Sequence, residues 1–241
     1  MTTPLLLGAI VLVATSLQRV TGIGFGLVAG PGLVLLLGPG HGVLLSNLAA
    51  GGISAVGLAT SWRRVRLSAM LPLVVAAMLT VPVGAWMVGR LEERALLIGI
   101  GSVVVAAVSL IIAGVRVRAL RGRRGAVAAG AASGVMNAAA GVGGPPLTLY
   151  AVNAGWHGPE FVANAQFYGV VVNGLSVATK GVPELSGTSW AFFGAAVVAG
   201  IVAGTLLGRA SDAGLRRLVL GLALAGGASI LAKGLLATID G

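Results

Sequence analysis

The chain is built from long apolar runs, at about 4–20, 23–38, 43–61, 67–89, 95–115, 126–152, 161–179, 189–208 and 218–236. Most are close to the ~20 residues that carry an α-helix across a bilayer, and the connections between them are short. Trp62-Arg63-Arg64-Val65-Arg66 follows the third run, and Gly89-Arg90-Leu91-Glu92-Glu93-Arg94 follows the fourth. The longest basic stretch, with Arg116, Arg118, Arg121, Arg123 and Arg124, sits at the centre. The pattern predicts an all-α polytopic membrane protein of about seven to nine membrane segments, with no room for a soluble domain.

The basic centre, 116–125, reads as a cytoplasmic linker between halves at 1–115 and 126–241. Sliding the chain by 119 residues places Gly22-Ile23-Gly24 on Gly141-Val142-Gly143 and Gly89-Arg90 on Gly208-Arg209, with no gap between these anchors. Overall identity is poor, so the rare polar residues inside apolar runs carry more weight. Gln18 meets Asn137, Asn47 meets Gln166, Ser54 meets Asn173, and Thr60 meets Thr179. This predicts an internal duplication, a common device in transporters. Each half is a glycine-broken helical hairpin (4–38 or 126–152) followed by three helices (43–61, 67–89 and 95–115, or 161–179, 189–208 and 218–236).

Charge decides how the halves are oriented. If 4–38 goes in and returns, each half makes an odd number of further crossings and the two are inverted. The loops at 62–66, 116–124 and 209–217 then share one side with eleven Arg, against Arg90, Arg94 and Lys180 on the other. One net crossing of 4–38 would move the three Arg of 209–217 outward and weaken that bias. The positive-inside rule therefore favours two inverted repeats, with both termini outside.

Composition fits this picture. Of 241 residues, 57% are hydrophobic and 9% charged, and mean hydropathy is +1.01, whereas soluble domains are about 25% charged. The net charge of +10 lies in Arg clusters between apolar runs, so it reports topology and excludes nucleic acid as a partner. Without cysteine there is no disulfide, thiolate metal site or redox pair, and thiols do not report the compartment. The N-terminus has no basic segment before its apolar stretch, so it reads as a first membrane helix rather than a cleaved signal. Trp62, Trp86, Trp156 and Trp190 lie near run ends and read as interface anchors.

The two glycine-rich breaks are the candidate site. One is Thr21-Gly22-Ile23-Gly24-Phe25-Gly26, with Gly30-Pro31-Gly32 following; the other is Gly141-Val142-Gly143-Gly144-Pro145-Pro146. Unwound backbone inside a bilayer is tolerated where protein or water satisfies its N–H and C=O groups, and proline is natural in the first turn of a new helix. Each break would start a half-helix whose free N–H groups and positive dipole end point inward. Two such ends would make an anion site near the midplane. Close packing or a flexible kink would explain one break alone; two in register point to a binding site.

Gln18 and Asn137 enter the breaks, and Asn47 and Gln166 lie on the next helix of each half. Their amides would donate to an oxyanion without burying a charge, or else bond helix to helix. Asn164 and Asn173 share the helix of Gln166 with weaker claims. Arg19 is the only Arg well inside an apolar run, suited to bidentate oxyanion contact, to snorkelling or to a carbonyl. Its counterpart is Ala138, so the pocket would be asymmetric. The six acids all lie in loops or at the end, and His41 and His157 sit alone in loops after the hairpins. No metal site, cofactor or catalytic triad is called for. The expected partners are a small anion and membrane lipid, and the small-residue helix faces would suit a homodimer.

The segments Thr21-Gly22-Ile23-Gly24-Phe25-Gly26 and Asn137-Ala-Ala-Ala-Gly141-Val-Gly143-Gly144-Pro145-Pro146 resemble the paired signatures of the TauE/SafE sulfite exporter family. The resemblance implies a bacterial inner-membrane transporter exporting sulfite or an organosulfonate such as sulfoacetate, with the motif positions at Gly22, Gly24, Gly26, Gly141, Gly143, Gly144 and Pro145. Arg19 is no part of that signature. The alternatives are a divalent metal-ion transporter and a non-transporting membrane scaffold or assembly protein.

Overall fold

The computed structural model describes residues 2–21, 24–114, 120–156, 158–206 and 213–237. It consists of helices α1 (Thr2–Thr21), α2 (Phe25–Ser61), α3 (Leu67–Arg90), α4 (Glu93–Ile112), α5 (Gly122–Ala140), α6 (Gly144–Asn153), α7 (Gly158–Lys180), α8 (Gly187–Leu206) and α9 (Ala213–Leu236), with a 3-10 turn at Trp62–Arg64. No strand occurs among the described residues. Among the described residues, seven helices are long and apolar enough to cross a membrane: α1 to α4 and α7 to α9. α6, at 10 residues, is too short. α5 is an Ala- and Gly-rich helix that carries Arg123 and Arg124 in its first turn.

The helix boundaries refine those expected from the sequence. The gap between runs 23–38 and 43–61 is no loop: both runs lie on α2, which kinks at Gly38 (φ 80°) and resumes at Pro39. A positive φ is cheap only for glycine, and proline suits the first turn of the resumed helix. His41 therefore sits on an exposed helical turn rather than in a loop; His157 lies outside the described residues. Likewise, α5 starts at Gly122, so residues 122–125 of the expected linker are helical.

The helices pack in four main pairs: α1 with α8, α3 with α5, α2 with α7, and α4 with α9. Small residues set these contacts, as expected where packing rather than the hydrophobic effect joins helices in lipid. A Cβ on Gly130 would meet Leu73, and one on Gly84 would lie 2.6 Å from Val135 O, so α3 and α5 run parallel with backbones touching. Gly200 against Thr15 and Gly204 against Arg19 make α1 and α8 parallel in the same way. The other two pairs run antiparallel. Gly51 meets Asn173 and Gly57 meets Gln166 across α2 and α7, while Gly101 meets Leu231 and Gly234 meets Ile98 across α4 and α9.

These directions gather the polar ends. Arg66 Nη1 pairs with Glu160 Oε1 at 2.9 Å, and Arg66 N–H donates to Asn164 Oδ1 at 2.9 Å. The turn that follows α2 thus sits at the start of α7. The starts of α3 and α5 meet beside it, around Ala69, Pro72, Gly122 and Arg123. Arg63, Arg64, Arg66, Arg121, Arg123 and Arg124 therefore share one end of the bundle. An exposed ion pair of this kind adds little stability; its value here is as a positional marker.

Candidate functional site

The two glycine-rich breaks meet inside the bundle. A Cβ on Gly26, in the first turn of α2, would fall onto the carbonyl oxygen of Gly141. One turn further along α2, a Cβ on Gly30 would lie 4.0 Å from Ala140 O. The start of one half-helix is therefore pressed against the end of the helix that precedes the other. Gly141 closes α5 in the left-handed conformation (φ 71°). Its N–H donates to Asn137 O at 2.9 Å, and the Val142 N–H donates to Met136 O at 3.4 Å, the helix-ending pattern that glycine favours.

A cavity of about 570 Å³ surrounds this meeting point. Of the residues singled out from the sequence, it is lined by Gln18, Arg19, Gly24, Gly26, Asn137, Gly141, Gly143, Gly144 and Gln166. Asn47 and Pro145 are buried behind its wall, and Gly22 lies outside the described residues. Both half-helix N-termini thus face one space, but they are unequal. The first turn of α2 offers the N–H groups of Phe25 and Gly26, with that of Leu27 turned to Gly24 O at 3.1 Å. At α6, Pro145 and Pro146 carry no N–H, which leaves Gly144 as the donor of the first turn. The prolines that favour a helix start thus also thin its donors.

Asn137 is the polar hub. Its Nδ2 donates to Asn173 Oδ1 and to Ser176 Oγ, each at 3.1 Å, and its backbone oxygen accepts from Asn47 Nδ2 at 3.3 Å. Its side chain also backs Gly143, where a Cβ would lie 2.9 Å from Asn137 Oδ1 and 3.0 Å from Ser133 Oγ. Ser133 donates to the Gly143 carbonyl. We expect Asn137→Ala to cost about 1–3 kcal/mol, because Asn173 and Ser176 lose a buried partner. The half-buried Asn153, whose amide reaches only Leu149 O one turn back, should tolerate alanine within about 0.5 kcal/mol. Thermal unfolding of the two purified variants checks the contrast.

Among the described residues, Arg19 is the only charged side chain that lines the cavity, and no carboxylate lines it. Its Nη2 donates to Thr205 Oγ1 at 3.1 Å, and Gly204 gives it room, since a Cβ there would collide with the Arg19 side chain. Gln18 Oε1 is buried without a partner among the described residues. Ser133, Gly204 and Thr205 are site residues beyond those picked out by the sequence, which marks Ser54 only as a register position. Ser133 was open to detection as the polar residue one helical turn before Asn137, and Ser54 through its register partner Asn173. Nothing in the sequence marks Thr205.

The cavity is lopsided. It follows α7 from Asn173 to Phe161 and Gly158, toward the end that carries Arg63, Arg64 and Arg66. The residues 119 positions before Val162, Ala165, Gln166 and Tyr168 are Val43, Ser46, Asn47 and Ala49. All four are buried, Ser46 and Asn47 at 0% exposure.

A protein-family model described as Sulfite exporter TauE/SafE matches residues 7–230 of the chain. No curated protein and no solved structure matches it.

Proposed function

The chain belongs to the TauE/SafE sulfite exporter family of membrane transporters, and on that premise we propose that it carries a small sulfur oxyanion, sulfite or an organosulfonate, out across the bacterial inner membrane by alternating access. One observation carries the reading: both half-helix N-termini, Arg19, Gln18, Asn137 and Gln166 line one cavity that has no carboxylate among the described residues. Oriented N–H groups and a helix dipole favour an anion, and a planar guanidinium matches an oxyanion in two-pronged fashion. A divalent cation would need carboxylates or imidazoles there instead.

Inverted repeats supply the movement. In a 119-residue register α2 corresponds to α7 and α4 to α9, and both pairs run antiparallel across the bundle. A two-fold axis lying in the membrane relates counterparts in this way, whereas an axis along the membrane normal would make them parallel. The gathering of Arg at one end marks that end as cytoplasmic. The cavity reaches toward it along α7, while Val43, Ser46, Asn47 and Ala49, the counterparts of Val162, Ala165, Gln166 and Tyr168, are buried. This is an inward-open arrangement, ready to load cargo from the cytoplasm; repacking α2 as α7 is now packed would open the other side. A membrane potential negative inside then favours expulsion by about 2.3 kcal/mol per charge per 100 mV.

The test is thermal stability of the purified protein against sulfite, sulfoacetate, thiosulfate, sulfate, acetate and nickel, followed by flux from proteoliposomes. A cargo at about 100 times its dissociation constant should stabilise by roughly 2.7 kcal/mol. Arg19→Ala should weaken that response about tenfold or more, for loss of a charge-assisted bond. A response to nickel with silence to every sulfur oxyanion would overturn the proposal.

A further inference from the structure

The geometry points to a second binding site where the two breaks touch, one that takes a monovalent alkali cation. Ser46 and Asn47, on the resumed part of α2, are fully buried, and Ser46 Oγ and Asn47 Oδ1 have no hydrogen-bond partner among the described residues. Both atoms face Gly141: a Cβ there would lie 3.3 Å from Ser46 Oγ and 3.7 Å from Asn47 Oδ1. Ser46 Oγ also lies 3.4 Å from a Cβ placed on Gly26, the same Cβ that would strike Gly141 O. The Ala140 carbonyl closes the group, at 4.0 Å from the Gly30 Cβ position, as is Ser46 Oγ.

Among the described residues, none of these oxygens accepts a hydrogen bond. A helix that continued past Ala140 would give the Gly141 carbonyl to the N–H four residues on, but that residue is Pro145. The Ala140 carbonyl sits at the end of α5, where the helix runs out. Asn47 has its amide nitrogen turned away to Asn137 O at 3.3 Å, leaving its oxygen toward the break. The nearest ammonium, Lys180 Nζ, is committed to Ala138 O at 2.9 Å. Two side-chain oxygens and two carbonyls thus converge at the negative end of a helix dipole. Buried acceptors without donors are costly, and a cation satisfies all four at once, in the way that unwound carbonyls and helix C-termini hold sodium in membrane transporters. No carboxylate is among the described residues that form the site, which suits a single charge rather than a divalent ion.

The site belongs to one half only. The residues in register with Ser46 and Asn47 are Ala165 and Gln166, and alanine offers no ligand. Because its ligands come from α2 on one side and the end of α5 on the other, a bound cation ties these two helices together beside the cavity.

The full chain, purified in detergent and free of alkali cations, is titrated with sodium, lithium, potassium and choline at constant ionic strength, with thermal unfolding as the readout. We expect saturable stabilisation by an alkali cation and none by choline. Ser46→Ala should weaken the apparent affinity about tenfold or more. Ser46→Cys, which keeps the volume but offers a soft sulfur, should do the same and guards against a folding failure in the alanine variant. Equal responses to all four cations, or an alkali response unchanged in both variants, would overturn the site. Sulfite is tested in parallel in choline buffer, so a missing cation response beside an intact sulfite response counts against this site alone.

Discussion

Gly26→Ala should abolish sulfite flux and cost about 3 kcal/mol or more of stability. A single methyl group does this because its position is already occupied by the Gly141 carbonyl oxygen. That oxygen cannot retreat cheaply. Gly141 is held in the left-handed conformation by two backbone hydrogen bonds that end α5, and Asn47 ties Asn137 from the other side. The control lies one turn along the same helix. A Cβ on Gly30 meets nothing nearer than 4.0 Å, so Gly30→Ala should retain flux, with a gain of up to about 1 kcal/mol from helix propensity. Thermal unfolding and proteoliposome flux on both variants decide the matter. Wild-type flux in Gly26→Ala would mean that the two breaks do not meet in the working protein.

The second large effect is on accessibility. The chain contains no cysteine, so a single introduced thiol reports its own surroundings without background. A membrane-impermeant thiol reagent applied from the arginine-rich side should modify Gln166→Cys at least about tenfold faster than Asn47→Cys, since a buried thiol is inert. Ala49→Cys, at a position 2% exposed and in register with Tyr168, should be equally protected and does not disturb the bond from Asn47 to Asn137. Reagent from the opposite side should reach Asn47→Cys or Ala49→Cys only when cargo turnover opens that side. Comparable rates at Gln166→Cys and Asn47→Cys from the arginine-rich side would rule out the inward-open reading.

Much of this architecture is legible in the residue pattern, for identifiable reasons. Bilayer-length apolar runs and arginine-rich turns are imposed by the solvent, so the spans and their connections stand out without knowledge of packing. The breaks stand out because glycine and proline are the residues that interrupt a helix, and Gly141 shows the positive φ such a residue serves. Gln18, Arg19, Asn137 and Gln166 were identifiable because a polar side chain is rare at such depth. Packing between distant helices left less trace. Thr205 looks like any threonine on an apolar helix, and its bond to Arg19 depends on α8 lying parallel to α1. Asn47 and Gln166 read as equivalents in sequence, yet one is sealed and the other lines the cavity, because their environments differ while their register does not. The kink at Gly38 looks like a loop in the sequence because glycine and proline mark both.

The composition of α5 bears on how the protein is made. Its alanines, glycines and two leading arginines leave it short of the apolarity that drives a nascent segment sideways from the translocon into lipid. Its place in the bilayer is instead the groove along α3, where Gly84, Gly130 and Gly134 let the two backbones touch. α3 is synthesised first and is apolar enough to be inserted unaided. Of the second half, α7, α8 and α9 carry their own apolarity, and it is α5 whose place in the membrane rests on α3 having entered before it.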